Sequence, residues 1–256
     1  MTSEKPKQNI LMKPIWHLGG TFILSVFVLI TIISVNLLFT DKIPLVTGDG
    51  SFLSNVGIIL WCVSATVCLF ASMLIVDNKL PQARHFLMCS GLLTAYLLFD
   101  DFFELHERYF PMFFNIDEKI IYIILGIATS TIIIKYRQLI LRTHYIVMLM
   151  SLGFLAISIA SDGILNPIEI VYGMLVLVVL SIIYMYVLHR YLFKEYLLMV
   201  FLMSIGLCIA YITLQSNAEY SEYIFEESAK WIGIASWCSY YVHTAYQLVI
   251  DSYSNQ

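Results

Sequence analysis

Five ionisable residues follow one another closely near the middle of the chain, where a long apolar run ends. The segment 94–108 reads TAYLLFDDFFELHER. Its ionisable residues before the final arginine are Asp100, Asp101, Glu104, His106 and Glu107. Carboxylates on neighbouring helical turns can share a proton or ligate a hard divalent cation through oxygen. The segment is therefore predicted to bind a cation or to transfer a proton.

Helical spacing divides these side chains between faces. Asp100, Glu104 and Glu107 are separated by four and three positions and form one stripe. His106 lies more than a quarter turn from the stripe, and Asp101 lies about as far away on the other flank. Carboxylates one turn apart repel in a medium of low dielectric, so the cluster is expected to hold a proton or a cation. The predicted ligands are Asp100, Asp101 and Glu104.

The depth of the aspartates follows from the length of the apolar run before them. The run begins just after Arg84, so Asp100 lies roughly 22 Å along a helix that must cross a hydrocarbon core about 30 Å thick. Asp100 and Asp101 are therefore expected inside the membrane. An ionisable side chain at that depth is costly, and by default it marks a functional site or a pathway.

The composition is that of a polytopic membrane protein. The chain has 256 residues, of which 60% are hydrophobic and 12% are charged, and this balance excludes an ordinary soluble domain. We predict an all-α bundle of about eight transmembrane helices in one integral membrane domain over 1–256. The predicted spans are 16–39, 53–76, 85–106, 118–137, 144–161, 168–189, 195–215 and 227–250. The lipid bilayer is the first predicted partner, and nothing indicates binding to nucleic acid.

Basic residues predict the orientation of the bundle. With a cytoplasmic N-terminus, ten of the fourteen Lys and Arg residues lie on the inner side and four lie on the outer side. Both termini are therefore expected in the cytoplasm, in a multi-pass protein of the cell membrane. Fourteen of the eighteen acidic residues fall outside or in the outer leaflet. Such an acidic outer half would attract cations to an outward-facing entrance.

An internal repeat is indicated by two segments that align without gaps. Residues 86–104 and 201–219 are identical at eight of nineteen positions. Pseudo-repeats over about 14–138 and 141–252 would each contain four helices and would run parallel. Parallel repeats are a known plan of transporters, with the site at the interface between the halves.

Four further ionisable residues are predicted to contribute to the site. Asp162 lies in the short connection between the fifth and sixth predicted spans, and Glu226 and Glu227 lie at the start of the last span. Lys230 follows Glu226 by four positions and lies about one turn inside the membrane. Two interpretations of Lys230 stay open: its ammonium pairs with a carboxylate, or it snorkels to the headgroups.

The histidines show a regular placement. Four fall at the inner ends of predicted helices, one at an outer end and one well down the last helix. In chain order they are His17, His85, His106, His144, His189 and His243. Two facing helical histidines can ligate a haem. Nothing else in the sequence indicates a redox centre, so interfacial side chains beside basic loops are the preferred interpretation.

The leading hypothesis for function is transport of a cation or a proton-coupled small solute. An alternative rests on DDFFE at 100–104, which resembles the DDxxD motif of intramembrane prenyltransferases, with Glu219 and Glu222 as a second motif. That resemblance implies a membrane enzyme that acts on a lipid or isoprenoid phosphate with Mg²⁺ as cofactor. The motifs of those enzymes face the cytoplasm, whereas the charge count puts both segments outside. A third hypothesis is a membrane sensor or assembly subunit with structural charge pairs.

Overall fold

A computed structural model of the chain describes residues 52–75, 80–161 and 218–254. Every regular element in these ranges is a helix, which confirms the predicted all-α class for the described part of the chain. The predicted spans 16–39, 168–189 and 195–215 lie outside the described residues. The same holds for Asp162 and for the second copy of the aligned repeat up to position 217.

The first two described helices are long and apolar. Helix α1 is Phe52–Leu74 and helix α2 is Pro81–Phe103. Pro81 occupies the first turn of α2, where its missing N–H group would have had no helical partner in any case. The segments Ser54–Leu74 and Pro81–Phe103 are long and apolar enough to cross a membrane.

Helix α2 ends sooner than the sequence predicts. Glu104 adopts the left-handed conformation, with φ 51° and ψ 45°, and its N–H donates to the carbonyl of Asp100. A π-helical turn, Leu105–Tyr109, and the short helix α3, Phe110–Phe114, follow. The predicted stripe through Glu104 and Glu107 is therefore interrupted, because the chain leaves the regular helix after Phe103.

Three helices complete the central part of the chain. Asp117 caps helix α4, Glu118–Lys135, by accepting a hydrogen bond from the N–H of Lys119 at 2.9 Å. Helix α5 is Arg137–Ile140, and after a turn at 141–144 helix α6 is Tyr145–Ser161. Thus α4 and α6 occupy most of the spans predicted at 118–137 and 144–161.

The last described helix, α7, is Ala218–Ser254 and has 37 residues. It begins nine residues before the start predicted at 227. The acidic pair Glu226 and Glu227 was expected at a helix start, and that placement was wrong: both residues lie inside continuous helix, as does Lys230.

The chain divides into two compact units. The first contains residues up to Leu152 together with Ile232–Gln256, and the second is Gly153–Trp231. The described part of the first unit contains α1 to α5, the start of α6 and the C-terminal part of α7. The second unit contains the rest of α6 and the first turns of α7.

Close approach of α1 and α2 organises the first unit. A Cβ atom added to Gly91 of α2 would lie 2.8 Å from Cγ of Leu69 and 3.1 Å from Cβ of Cys68, both on α1. Cys68 is fully buried. A side chain at position 91 would collide with Leu69 and Cys68, so the glycine permits the two helices to pack this closely. Small residues at helix contacts are typical of packing inside membranes.

Helix α7 packs on this pair through aromatic side chains and buried hydrogen bonds. The indole N–H of Trp237 donates to Oγ1 of Thr94 at 3.0 Å, and Thr94 in turn donates to the carbonyl of Ser90 at 2.8 Å. Trp237 also contacts Trp61 of α1 edge to face, with ring centroids 5.9 Å apart. These polar groups are buried and paired, so they fix α7 against α2 without an unsatisfied donor.

Candidate functional site

Asp100 and His106 form a buried pair at the end of α2. Asp100 is 4% exposed and His106 is 8% exposed. The backbone N–H of His106 donates to Oδ1 of Asp100 at 3.1 Å, and ring atom Nδ1 lies 2.8 Å from Oδ2. The side-chain contact is therefore close and ionic in type and is not an aligned hydrogen bond.

The left-handed residue at Glu104 explains how this pair forms. Six positions separate Asp100 from His106, which in a regular helix places them on different faces. The break at Glu104 and the π-helical turn bring His106 back over the last turn of α2. Such π-helical turns occur frequently at functional sites.

The other ring nitrogen of His106 faces two oxygen atoms. Its Nε2 lies 2.9 Å from the hydroxyl of Tyr122 on α4 and 3.4 Å from Oε1 of Glu107. Glu107 is exposed, whereas Asp100 is buried. A neutral ring with its proton on Nδ1 accepts a hydrogen bond from Tyr122, and a protonated ring faces carboxylates through both nitrogens. His106 therefore connects a buried carboxylate to an exposed one.

Glu104 is engaged by a different cation. Its carboxylate forms an ion pair with the guanidinium of Arg108, four positions later, and the N–H of Arg108 donates to the Glu104 carbonyl at 2.9 Å. The Arg108 side chain is largely exposed. Glu104 is half-buried, so the pair lies between the protein interior and its surface.

The predicted site residues that the structure describes fall into two groups. Asp100, Glu104 and Glu107 lie with His106 around the end of α2, and Asp101 is half-buried beside Asp100. Glu226, Glu227 and Lys230 are half-buried on α7 in the second unit. Within the described ranges, no three His, Cys, Asp or Glu side chains converge as metal ligands would. The predicted divalent cation at Asp100, Asp101 and Glu104 stays a prediction.

The sequence analysis did not predict that His106 and Tyr122 would contact each other or the acidic residues of this cluster. His106 was assigned to another face of a continuous helix, and Tyr122 was one residue in an apolar run. No signal in the sequence marked the turn at Glu104, because Pro111 lies seven positions later and restricts a regular helix only from Glu107 onward.

Comparison with protein families gives a match that includes the central part of the described chain. A family described as "Domain of unknown function (DUF8692)" matches residues 19–170, more than half of the chain. The chain belongs to the DUF8692 family. The DUF8692 region contains α1 to α6 and all four members of the cluster formed by Asp100, His106, Glu107 and Tyr122. No curated protein and no solved structure matches the chain.

Proposed function

We propose that this protein is a multi-pass membrane transporter that couples movement of a cation or small solute to a proton carried by Asp100 and His106. One observation carries the proposal: a buried carboxylate contacts a buried imidazole at the end of a helix that is long and apolar enough to cross a membrane. Burial of an ionisable side chain in such surroundings costs free energy, and such a residue by default marks a functional site.

The proton reaches the pair through Glu107. This exposed carboxylate lies 3.4 Å from Nε2 of His106, and Nδ1 of the same ring lies 2.8 Å from Asp100. An imidazole with a carboxylate at each nitrogen can accept a proton on one side and release it on the other. Tyr122 holds the ring in place by its hydrogen bond to Nε2. The buried pair therefore exchanges protons with the solvent through one ring.

Cation binding competes with this proton. In the described arrangement the partners of the carboxylates belong to the protein itself: the imidazole faces Asp100 and the Arg108 guanidinium faces Glu104. A cation that binds Asp100, Asp101 and Glu104 must replace both. Protonation of His106 then weakens cation binding, and cation binding expels the proton, because the two effects are one coupling free energy.

The wider architecture belongs to the same proposal. About eight spans, two parallel four-helix repeats and cytoplasmic termini follow from the apolar runs, the aligned segments and the positive-inside rule. In the aligned segments Gln215 and Ser216 stand where Asp100 and Asp101 stand in the first copy. In this proposal the first repeat supplies charged ligands to the site and the second repeat supplies neutral ligands. A contribution of Asp162, Glu226, Glu227 and Lys230 to ion binding stays a prediction from the sequence.

Proton flux in proteoliposomes tests the proposal directly. Vesicles loaded with a pH-sensitive dye receive an inward gradient of Na⁺, K⁺, Mg²⁺, Ca²⁺ or Mn²⁺, one at a time. We expect at least one cation to drive protons out of the wild-type vesicles and to have no such effect in vesicles without protein. Asp100→Asn should abolish the flux while the protein stays folded, since it deletes the charge that the site requires.

The matched control is Asp251→Asn, which removes an exposed carboxylate near the end of α7. It should transport as the wild type does. Wild-type vesicles in which none of the five cations moves protons would contradict cation-coupled transport. So would a folded Asp100→Asn protein with unchanged flux.

A further inference from the structure

Three cations lie close together in the short segment between α4 and α6. They are Lys135, Arg137 and Arg142, and all three residues are exposed. Residues 120–161 contain no Asp or Glu, so no acidic neighbour in the sequence offsets these charges. Among the residues that the structure describes, no carboxylate forms an ion pair with any of the three. This segment, 135–142, is called the basic turn below.

Backbone hydrogen bonds give the basic turn a fixed structure. The N–H groups of residues 139–142 donate to carbonyls of residues 136–139, with N–O distances of 2.9 or 3.0 Å. These donors need no water, so the backbone of the basic turn can lie against a bilayer without an unsatisfied donor. The three cations are therefore carried by a folded segment.

Two buried side chains attach the basic turn to the first unit. Tyr136 contacts Phe86 of α2 edge to face, with ring centroids 5.5 Å apart, and Ile140 is buried as well. Positions 136 and 140 are one helical turn apart and share the inward face. Leu141 is 59% exposed and lies directly beside Arg142. The outer surface of the turn thus presents cations next to an apolar side chain, and a phospholipid likewise has its phosphate next to apolar acyl chains.

We propose that the basic turn binds an anionic phospholipid of the cytoplasmic leaflet. The guanidinium groups of Arg137 and Arg142 donate hydrogen bonds to the phosphate oxygens, for which their planar geometry is suited. Nζ of Lys135 lies over the ring of Tyr136, 5.3 Å from its centroid, and adds a third positive charge. Leu141 contacts an acyl chain. The cytoplasmic leaflet is the one that carries negative surface charge. This inference rests on the membrane location and orientation in the proposed function and not on transport.

Thermal unfolding of the full-length protein in a non-ionic detergent tests this site. Phosphatidylglycerol or phosphatidylcholine with the same acyl chains is added, and the difference between the two melting temperatures is measured. We expect phosphatidylglycerol to raise the melting temperature by about 2–4 °C more than phosphatidylcholine does, because a ligand that binds only the folded state stabilises it. Equal melting temperatures in the two lipids would overturn the proposal.

Two double variants assign the effect to the basic turn. Arg137→Gln with Arg142→Gln should lose most of the difference between the lipids, whereas Arg137→Lys with Arg142→Lys should keep most of it, since both charges remain. The matched control is Lys119→Gln, which removes an exposed cation at the other end of α4 and should respond as the wild type does. Each protein is compared with itself in two lipids, so a change in its basal stability does not affect the result. A glutamine variant with the wild-type difference would overturn the proposal.

Inorganic phosphate distinguishes a lipid site from a site for a free anion. At matched ionic strength, sodium phosphate should not raise the melting temperature above that in sodium chloride, because it has no acyl chains to contact Leu141. Equal stabilisation by phosphate and by phosphatidylglycerol would overturn the lipid assignment. Failure of transport is distinguishable: a wild-type protein that prefers phosphatidylglycerol but moves no protons would contradict the transport proposal alone.

Discussion

His106 joins a buried carboxylate to an exposed one, and this role depends on both ring nitrogens. Oδ2 of Asp100 lies against Nδ1, and Oδ1 of the same carboxylate accepts a hydrogen bond from the backbone N–H of His106. The hydroxyl of Tyr122 lies within hydrogen-bond distance of Nε2. A hydrogen bond at Nε2 and a close ionic contact at Nδ1 restrict the orientation of the ring, and the proposed proton transfer requires such a restriction.

Tyr122→Phe removes the hydroxyl that contacts Nε2 of His106 and keeps the aromatic ring. We expect the free energy of unfolding to fall by about 1 kcal/mol, because a buried nitrogen loses its hydrogen-bond partner. Thermal unfolding in detergent measures this change. Tyr246→Phe is the matched control, since Tyr246 is 66% exposed and should lose nothing. Equal melting temperatures for the two variants would show that the hydroxyl of Tyr122 does not hold the ring.

At the scale of the helices, the contact between α1 and α2 determines where the Asp100 cluster sits. Gly91 lies nine positions before Asp100 on the same helix. Any displacement of α2 from α1 would therefore also move the end of α2, where Glu104 turns the chain back.

Gly91→Ala should destabilise the protein by about 1–3 kcal/mol, since the new methyl group would meet Leu69 and Cys68 at distances that force the helices apart. Gly126→Ala on α4 is the matched control. A Cβ there meets nothing within 4 Å, and alanine is the better helix former, so its stability should rise by about 0.5–1 kcal/mol. Melting temperatures that change in the same direction would contradict the close packing of α1 and α2.

The elements themselves were predictable from the sequence, but the local break at Glu104 was not. Apolar runs of near-spanning length gave α1, α2, α4 and α6 nearly their correct ranges, because burial of apolar surface dominates long helices. A left-handed glutamate has no such signal: glycine or asparagine is the usual residue in that conformation. The Asp100–His106 contact depends on this one backbone position, so periodicity placed the two residues on different faces.

At the scale of the whole molecule, the proposal requires an acidic entrance on the outer side and a basic inner face. Cysteine labelling in a variant without native cysteines tests this orientation. A cysteine at position 48 should react with a membrane-impermeant reagent added outside, and cysteines at positions 2 and 254 should not. Outside labelling at 2 or 254, or none at 48, would overturn the predicted topology and would move the Asp100 cluster to the other side of the membrane.

The central claim is that one proton, shared by Asp100 and His106, couples the transport cycle, and His106→Gln tests it most directly. Isotope exchange of the driving cation and lumenal pH are followed in the same proteoliposomes. Because glutamine cannot carry the proton but leaves the carboxylates in place, we predict that cation exchange continues while cation-driven proton flux is lost. A His106→Gln protein that still moves protons with the cation, at the wild-type ratio, would contradict the account.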